Sequence, residues 1–145
     1  NYSSKAHKLN KLGSSEGHII GGNLCLLAHT IGSNADISYD GKILFIEDIG
    51  EYLYNIDRMM VQLKRAGKLK NLAGLIVGQF SDSKENSTTF GKTAYEIIQD
   101  QTQEYSYPIC YNFPIGHENE NRAIRCGEIM KLDIMKDKVI LKSIT

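Results

Sequence analysis

The sequence has no excess of either charge. Its 145 residues hold 17 Lys and Arg against 17 Asp and Glu, and no basic stretch is dense enough to make an electrostatic footprint for nucleic acid or acidic lipid. Neither partner is expected. Long apolar runs are also missing: none approaches the roughly 20 residues that cross a bilayer, and the polar, basic start from Asn1 to Leu12 has no apolar signal core. The three cysteines, Cys25, Cys110 and Cys126, are odd in number and lack paired spacing, which argues against a disulfide framework and for a reducing, cytoplasmic compartment. They are expected to be small buried hydrophobes. Four histidines, His7, His18, His29 and His117, show neither H-E-x-x-H nor paired-Cys spacing, so no metal site is expected. No Pro- or Ser-rich linker divides the chain, and 1–145 reads as a single domain.

What is present alternates between strand-like and helix-like patterns. Ile43 to Ile46 is a continuous apolar run that predicts a strand covered on both faces, ending in Glu47-Asp48. Tyr52, Ile56, Met59, Met60 and Leu63 fall at helical spacing, with Glu51 early, Lys64 and Arg65 late and Gly67 as a stop. Asn23 is a good N-cap for a helix over Leu24 to Ile31 that stops at Gly32. Further strands are predicted at Gly74–Phe80 and Tyr107–Phe113, a helix over Gly91–Glu104, and a closing hairpin from Glu128–Ile134 to Lys138–Ile144. This order indicates an α/β domain with a mixed sheet and flanking helices.

Two polar clusters directly follow predicted buried strands, where site-building loops project: Glu47-Asp48 and Gly116-His117-Glu118. A His and a carboxylate brought together by the fold make the orienting half of a nucleophilic triad; a surface His beside acids is the plain alternative. No convincing nucleophile accompanies them. Gly13-Ser14-Ser15-Glu16-Gly17 matches G-x-S-x-G, but lacks the buried strand before and the helix after that the motif requires, so a turn is expected there. Gly21-Gly22 before Asn23 could present backbone N–H groups to an anion, as in a nucleotide site, or simply make a tight strand-to-helix turn.

Several segments in fixed order resemble the L,D-carboxypeptidases of bacterial cell-wall recycling and the related microcin-C immunity hydrolases. They are Glu16-Gly17-x-x-x-Gly21-Gly22-Asn23-Leu24, Gly41 to Asp48 with Glu51 and Tyr54-x-x-Asp57-Arg58-Met59, Leu75-x-x-Gly78-x-Phe80, and Pro114-x-Gly116-His117. The resemblance implies a C-terminal domain of the swivelling β/β/α type, preceded in the family by a serine-bearing domain that this sequence lacks. It implies Glu47 and His117 as acid and base of a Ser-Glu-His triad, Gly22 and Asn23 near the substrate, no metal or organic cofactor, and a muropeptide tetrapeptide losing its terminal D-Ala. The partner domain would be the chain's own N-terminal domain; dimers are a family tendency. Asp48 and Glu51 compete with Glu47 as the acid, and Glu47 is preferred because it ends the apolar strand. Asp57 and Arg58 are expected to brace neighbouring elements by charge pairing. A non-catalytic module for cell-wall peptides and a hydrolase of a peptidyl-nucleotide toxin remain as alternatives.

Overall fold

The computed structural model describes residues 1–144. In chain order the elements are β1 (Tyr2–Lys5), β2 (Gly13–Asn23), α1 (Leu24–Thr30), β3 (Ile43–Ile49), α2 (Leu53–Arg65), β4 (Gly74–Ser81), α3 (Ala94–Thr102), β5 (Ile109–Cys110), β6 (Ile129–Ile134) and β7 (Lys138–Ser143). They form a seven-stranded sheet in the order β1-β7-β6-β2-β3-β4-β5. β2 to β5 run parallel to one another, whereas β6 and β7 pair antiparallel with β2, β1 and each other. The sheet is therefore mixed, and β2 joins its halves: Gly13–His18 pairs with β6 and Ile19–Asn23 with β3.

Strand periodicity sorts the apolar residues into two cores. Leu44, Ile46, Leu75 and Val77 meet Leu24, Ile56, Met60, Leu63, Ile97 and Ile98 from the three helices. Ile43, Phe45 and Ile76 face the other way and meet Met130, Leu132, Val139 and Leu141 of the β6–β7 hairpin. Hairpin, central strands and helices thus stack as β/β/α layers. α2 is the amphipathic helix its spacing predicts, with Ile56, Met59, Met60 and Leu63 buried, closed by Gly67 at φ 74°. α3 is shorter than its pattern suggests, because Thr93 and Glu96 form a capping box that fixes its first residue at Ala94, three after Gly91.

Three further segments differ from expectation. The G-x-S-x-G stretch lies within β2 rather than in a turn, paired residue for residue with β6. Of the strand expected over Tyr107–Phe113 only Ile109–Cys110 forms: Pro108 has no N–H to offer, and Asn112 turns the chain with φ 56°. Asp57 and Arg58 make no ion pair among the described residues; Asp57 accepts from Gln101 (3.3 Å) and the Arg58 guanidinium lies 4.9 Å from the centre of the Tyr54 ring.

The parallel pairing of β2 with β3, which sets Gly21 opposite Phe45, leaves no room at Gly21. It has φ 146°, and a Cβ there would lie 2.0 Å from the Phe45 carbonyl oxygen. Gly21→Ala should therefore destabilise the fold by about 1–3 kcal/mol or more, read as a lower urea midpoint at unchanged slope. An unchanged midpoint would mean that β2 and β3 do not pack as described.

Candidate active site

β2, β3 and β4 end together at the carboxyl edge of the parallel strands, the usual place for a site in such sheets. Register sets Asn23 beside Glu47 and Gly22 beside Ile46. Between β3 and β4 it slips: Ile46 faces Val77 but Asp48 faces Phe80, so Gly78 and Gln79 together oppose Glu47 in a β-bulge. Gly78 is needed there because a Cβ would lie 2.3 Å from the Ile115 carbonyl oxygen and 3.3 Å from the Glu47 Cβ. Into that space comes the segment after β5, held as Phe113 N–H donates to Val77 (3.2 Å) and Gln79 N–H to Ile115 (2.8 Å). From below, the Tyr95 hydroxyl of α3 is within reach of the Gly78 carbonyl (3.0 Å) and of Asn112 Oδ1 (3.2 Å), and burial pushes its pKa up to about 12.

The segment then turns through Gly116, whose N–H donates to Asn121 Oδ1 (3.2 Å), and delivers His117 onto Glu47. His117 Nδ1 lies 2.7 Å from Glu47 Oε2. The carboxylate side chain is 9% exposed and the imidazole 46%. A carboxylate only accepts, so Nδ1 carries the proton; in the neutral ring Nε2 is then the free lone pair, on a ring nearly half open to solvent. Such a pair can take a proton from a group placed against Nε2 and stabilise the resulting imidazolium.

The other candidate acids are committed elsewhere. Asp48, 3% exposed, accepts from Asn23 Nδ2 (2.8 Å), Cys25 N–H (3.1 Å) and Ile49 N–H (2.9 Å), which ties it to the start of α1. Glu51 accepts from Asn55 (2.7 Å). Asn23 caps α1, its Oδ1 accepting from Leu26 N–H (3.2 Å), so of its side-chain groups one Nδ2 hydrogen is left over. Gly22 borders open space, with no atom within 4 Å of where a Cβ would stand. The remaining histidines lie apart from this pair: His7 packs on Tyr95 and Tyr111, the His18 ring bonds to the Gly127 carbonyl, and His29 ends α1.

Among the described residues no hydroxyl or thiol is hydrogen-bonded to His117. Ser14 donates to Asp133, Ser81 to Glu118, and the Ser15 hydroxyl is buried in β2 without a partner. Of the cysteines, Cys110 is buried and Cys25 half-buried, but Cys126 is exposed, against the expectation for it. Burial raises the thiol pKa of both Cys25 and Cys110, and the charges of Glu51 and Asp48 add to it at Cys25. No group of three or more His, Cys, Asp or Glu converges as a metal cage among these residues, and no helix is long and apolar enough to cross a membrane. One residue at the site was not foreseen. Gln79, an amide flanked by Gly78 and Phe80 in β4, accepts from Glu118 N–H (3.3 Å) and donates to the Glu120 carbonyl (3.1 Å). That lone polar position between Gly78 and Phe80 was the available signal.

Residues 16–132 match the family model described as LD-carboxypeptidase C-terminal domain. A probable murein peptide carboxypeptidase of Bacillus subtilis is 34% identical over 131 residues, 90% of this chain and 41% of that protein. A murein tetrapeptide carboxypeptidase of Pseudomonas aeruginosa is 29% identical, over 81% of this chain and 38% of its own length. The crystal structure of muramoyltetrapeptide carboxypeptidase from Oxalobacter formigenes superposes with a TM-score of 0.83 at 34% identity, covering 96% of this chain and 48% of that one. MccF in complex with glutamyl sulfamoyl guanosine shares the fold at 20% identity, with a TM-score of 0.81 over 99% of this chain and 41% of its own. The chain therefore spans less than half the length of each of these relatives.

Raised thiol pKa values leave little thiolate at Cys25 and Cys110 near neutrality. Iodoacetamide at pH 7 should modify Cys126 first, Cys25 more slowly and Cys110 only on unfolding, as mapped by peptide mass spectrometry. Preferential labelling of Cys25 would instead reveal an activated thiol beside the site.

Proposed function

Because this chain belongs to the LD-carboxypeptidase C-terminal domain family, we propose that it is the acid–base half of a serine L,D-carboxypeptidase, with the nucleophilic serine on a preceding domain outside these residues. The observation that carries this reading is the buried Glu47 carboxylate bonded to a half-exposed His117. It supplies everything a triad needs except the nucleophile. The murein peptide carboxypeptidases among its relatives support the substrate class, a muropeptide tetrapeptide whose terminal D-Ala is joined to an L-centre.

In the proposed reaction the serine hydroxyl, placed against His117 Nε2, gives up its proton as its oxygen attacks the scissile carbonyl. Glu47 stays ionised, holds Nδ1–H and stabilises the imidazolium. His117 then hands the proton to the departing D-Ala amine, and water repeats the sequence to release the acyl group. The donors that stabilise the oxyanion belong to the serine-bearing domain in this scheme, so the chain alone is expected to be inactive. Gly22 and Asn23 border the substrate: the open space beside Gly22 admits a backbone, and the spare Nδ2 hydrogen of Asn23 is available to an acceptor oxygen. The scheme uses no metal or organic cofactor. The assembly would be a cytoplasmic two-domain enzyme able to form a homodimer.

The test is D-Ala release from a muropeptide tetrapeptide by the longer protein that contains this chain. His117→Ala and Glu47→Gln should each lower kcat by about 10³–10⁴-fold while circular dichroism stays unchanged. The isolated chain should release none. Wild-type rates in both folded variants would remove Glu47 and His117 from the reaction; no cleavage by the parent protein, with tight tetrapeptide binding, would favour a non-catalytic binding module.

A further inference from the structure

A histidine that moves protons from a loop must be held to within roughly half an ångström of its productive position. The segment from Phe113 to Arg122 contains no helix or strand, yet carries His117. Part of its order is internal: Arg122 N–H donates to the Pro114 carbonyl (2.9 Å) and Gly116 N–H to Asn121. Those bonds shape the loop without fixing it to the sheet.

Phe113 N–H ties the start of the loop to the Val77 carbonyl (3.2 Å), and the rest of the fixing comes from the bulge. Gln79 N–H grips the Ile115 carbonyl, two residues before His117, while the Gln79 carboxamide accepts from Glu118 N–H just after it and donates to Glu120 beyond. One residue therefore holds main chain on both sides of the imidazole. Its stem also lies under Gly116, where a Cβ would come within 2.9 Å of the Gln79 Cβ. Ser81 adds only a bond to the Glu118 side chain, which can turn away without moving the loop. The amide is chemically required: Met fills the same volume with neither donor nor acceptor, and Glu keeps the acceptor but loses the donor and adds a negative charge beside Glu118 and Glu120.

We propose that Gln79 is a positioning residue, which sets the His117 ring on Glu47 by clamping the loop on both sides. This rests on the acid–base role given to His117 above. Two readouts separate the claims. In the ¹⁵N-labelled chain, the proton shared between His117 Nδ1 and Glu47 is followed by NMR, which needs no activity. In the longer protein, D-Ala release gives kcat and KM.

Gln79→Met should speed exchange of that proton and lower kcat by roughly tenfold to a hundredfold, with KM within about threefold. Gln79→Glu, which keeps the bond to Glu118 N–H, should fall between Met and wild type in both readouts. If Gln79→Met fails to fold, Gln79→Glu decides alone: a faster-exchanging proton supports the clamp, and a wild-type signal overturns it. Wild-type exchange and kcat in both variants would also overturn it. Loss of the ordered proton in a parent protein that cleaves nothing would keep the clamp and sink the proposed function instead.

Discussion

The structure of the site depends on one close approach: the Ile115 carbonyl occupies the place where any side chain on residue 78 would stand. Glycine alone allows it. The bulge that adds a residue to β4 at this point turns Gln79 N–H onto the same carbonyl, and the two backbone bonds either side of Gly78 dock the whole loop. The 2.7 Å contact between His117 and Glu47 follows from that docking, because both residues are then fixed to neighbouring strands of one sheet. A side chain at 78 would displace the loop and separate the pair before it altered either partner.

The adjacent acids show how strand geometry assigns roles. Successive residues of a strand face opposite sides of the sheet. Glu47 shares the side of Ile43 and Phe45, where Phe113 and Ile115 pack, and so meets the His117 loop. Asp48 shares the side of Leu44 and Ile46, which the helices cover, and so meets the start of α1. A carboxylate buried there without a cation is tolerable because three N–H donors solvate it. It also pins Asn23, which keeps the helix cap and the edge of the site in one rigid unit.

Much of this was legible in the residues. Continuous apolar runs announced β3 and β4, helical spacing announced α2, and the paired runs Glu128–Ile134 and Lys138–Ile144 announced the closing hairpin. The same parity argument was available for choosing Glu47 over Asp48, had the helix-covered face been known. Other parts carry no local signal. β1 and the first half of β2 are short of apolar residues because they are half solvated, and their strand state comes from pairing with β7 and β6. The end of β5 is set by Asn112 in a left-handed conformation, which an Asn permits but does not demand. The bulge opposite Glu47 is a mismatch between two strands and exists in neither strand alone, so Gln79 was marked only by its polarity among apolar neighbours, and its role waited on the register.

The central claim is that the Glu47–His117 pair serves a serine outside this chain. The most direct measurement is to treat the longer protein with a fluorophosphonate and map the adduct by mass spectrometry, with His117→Ala as control. The account predicts one modified serine, located before these 145 residues, and loss of labelling without His117. An adduct on Ser14, Ser15, Ser81 or any other serine of this chain, or labelling indifferent to His117, would contradict it.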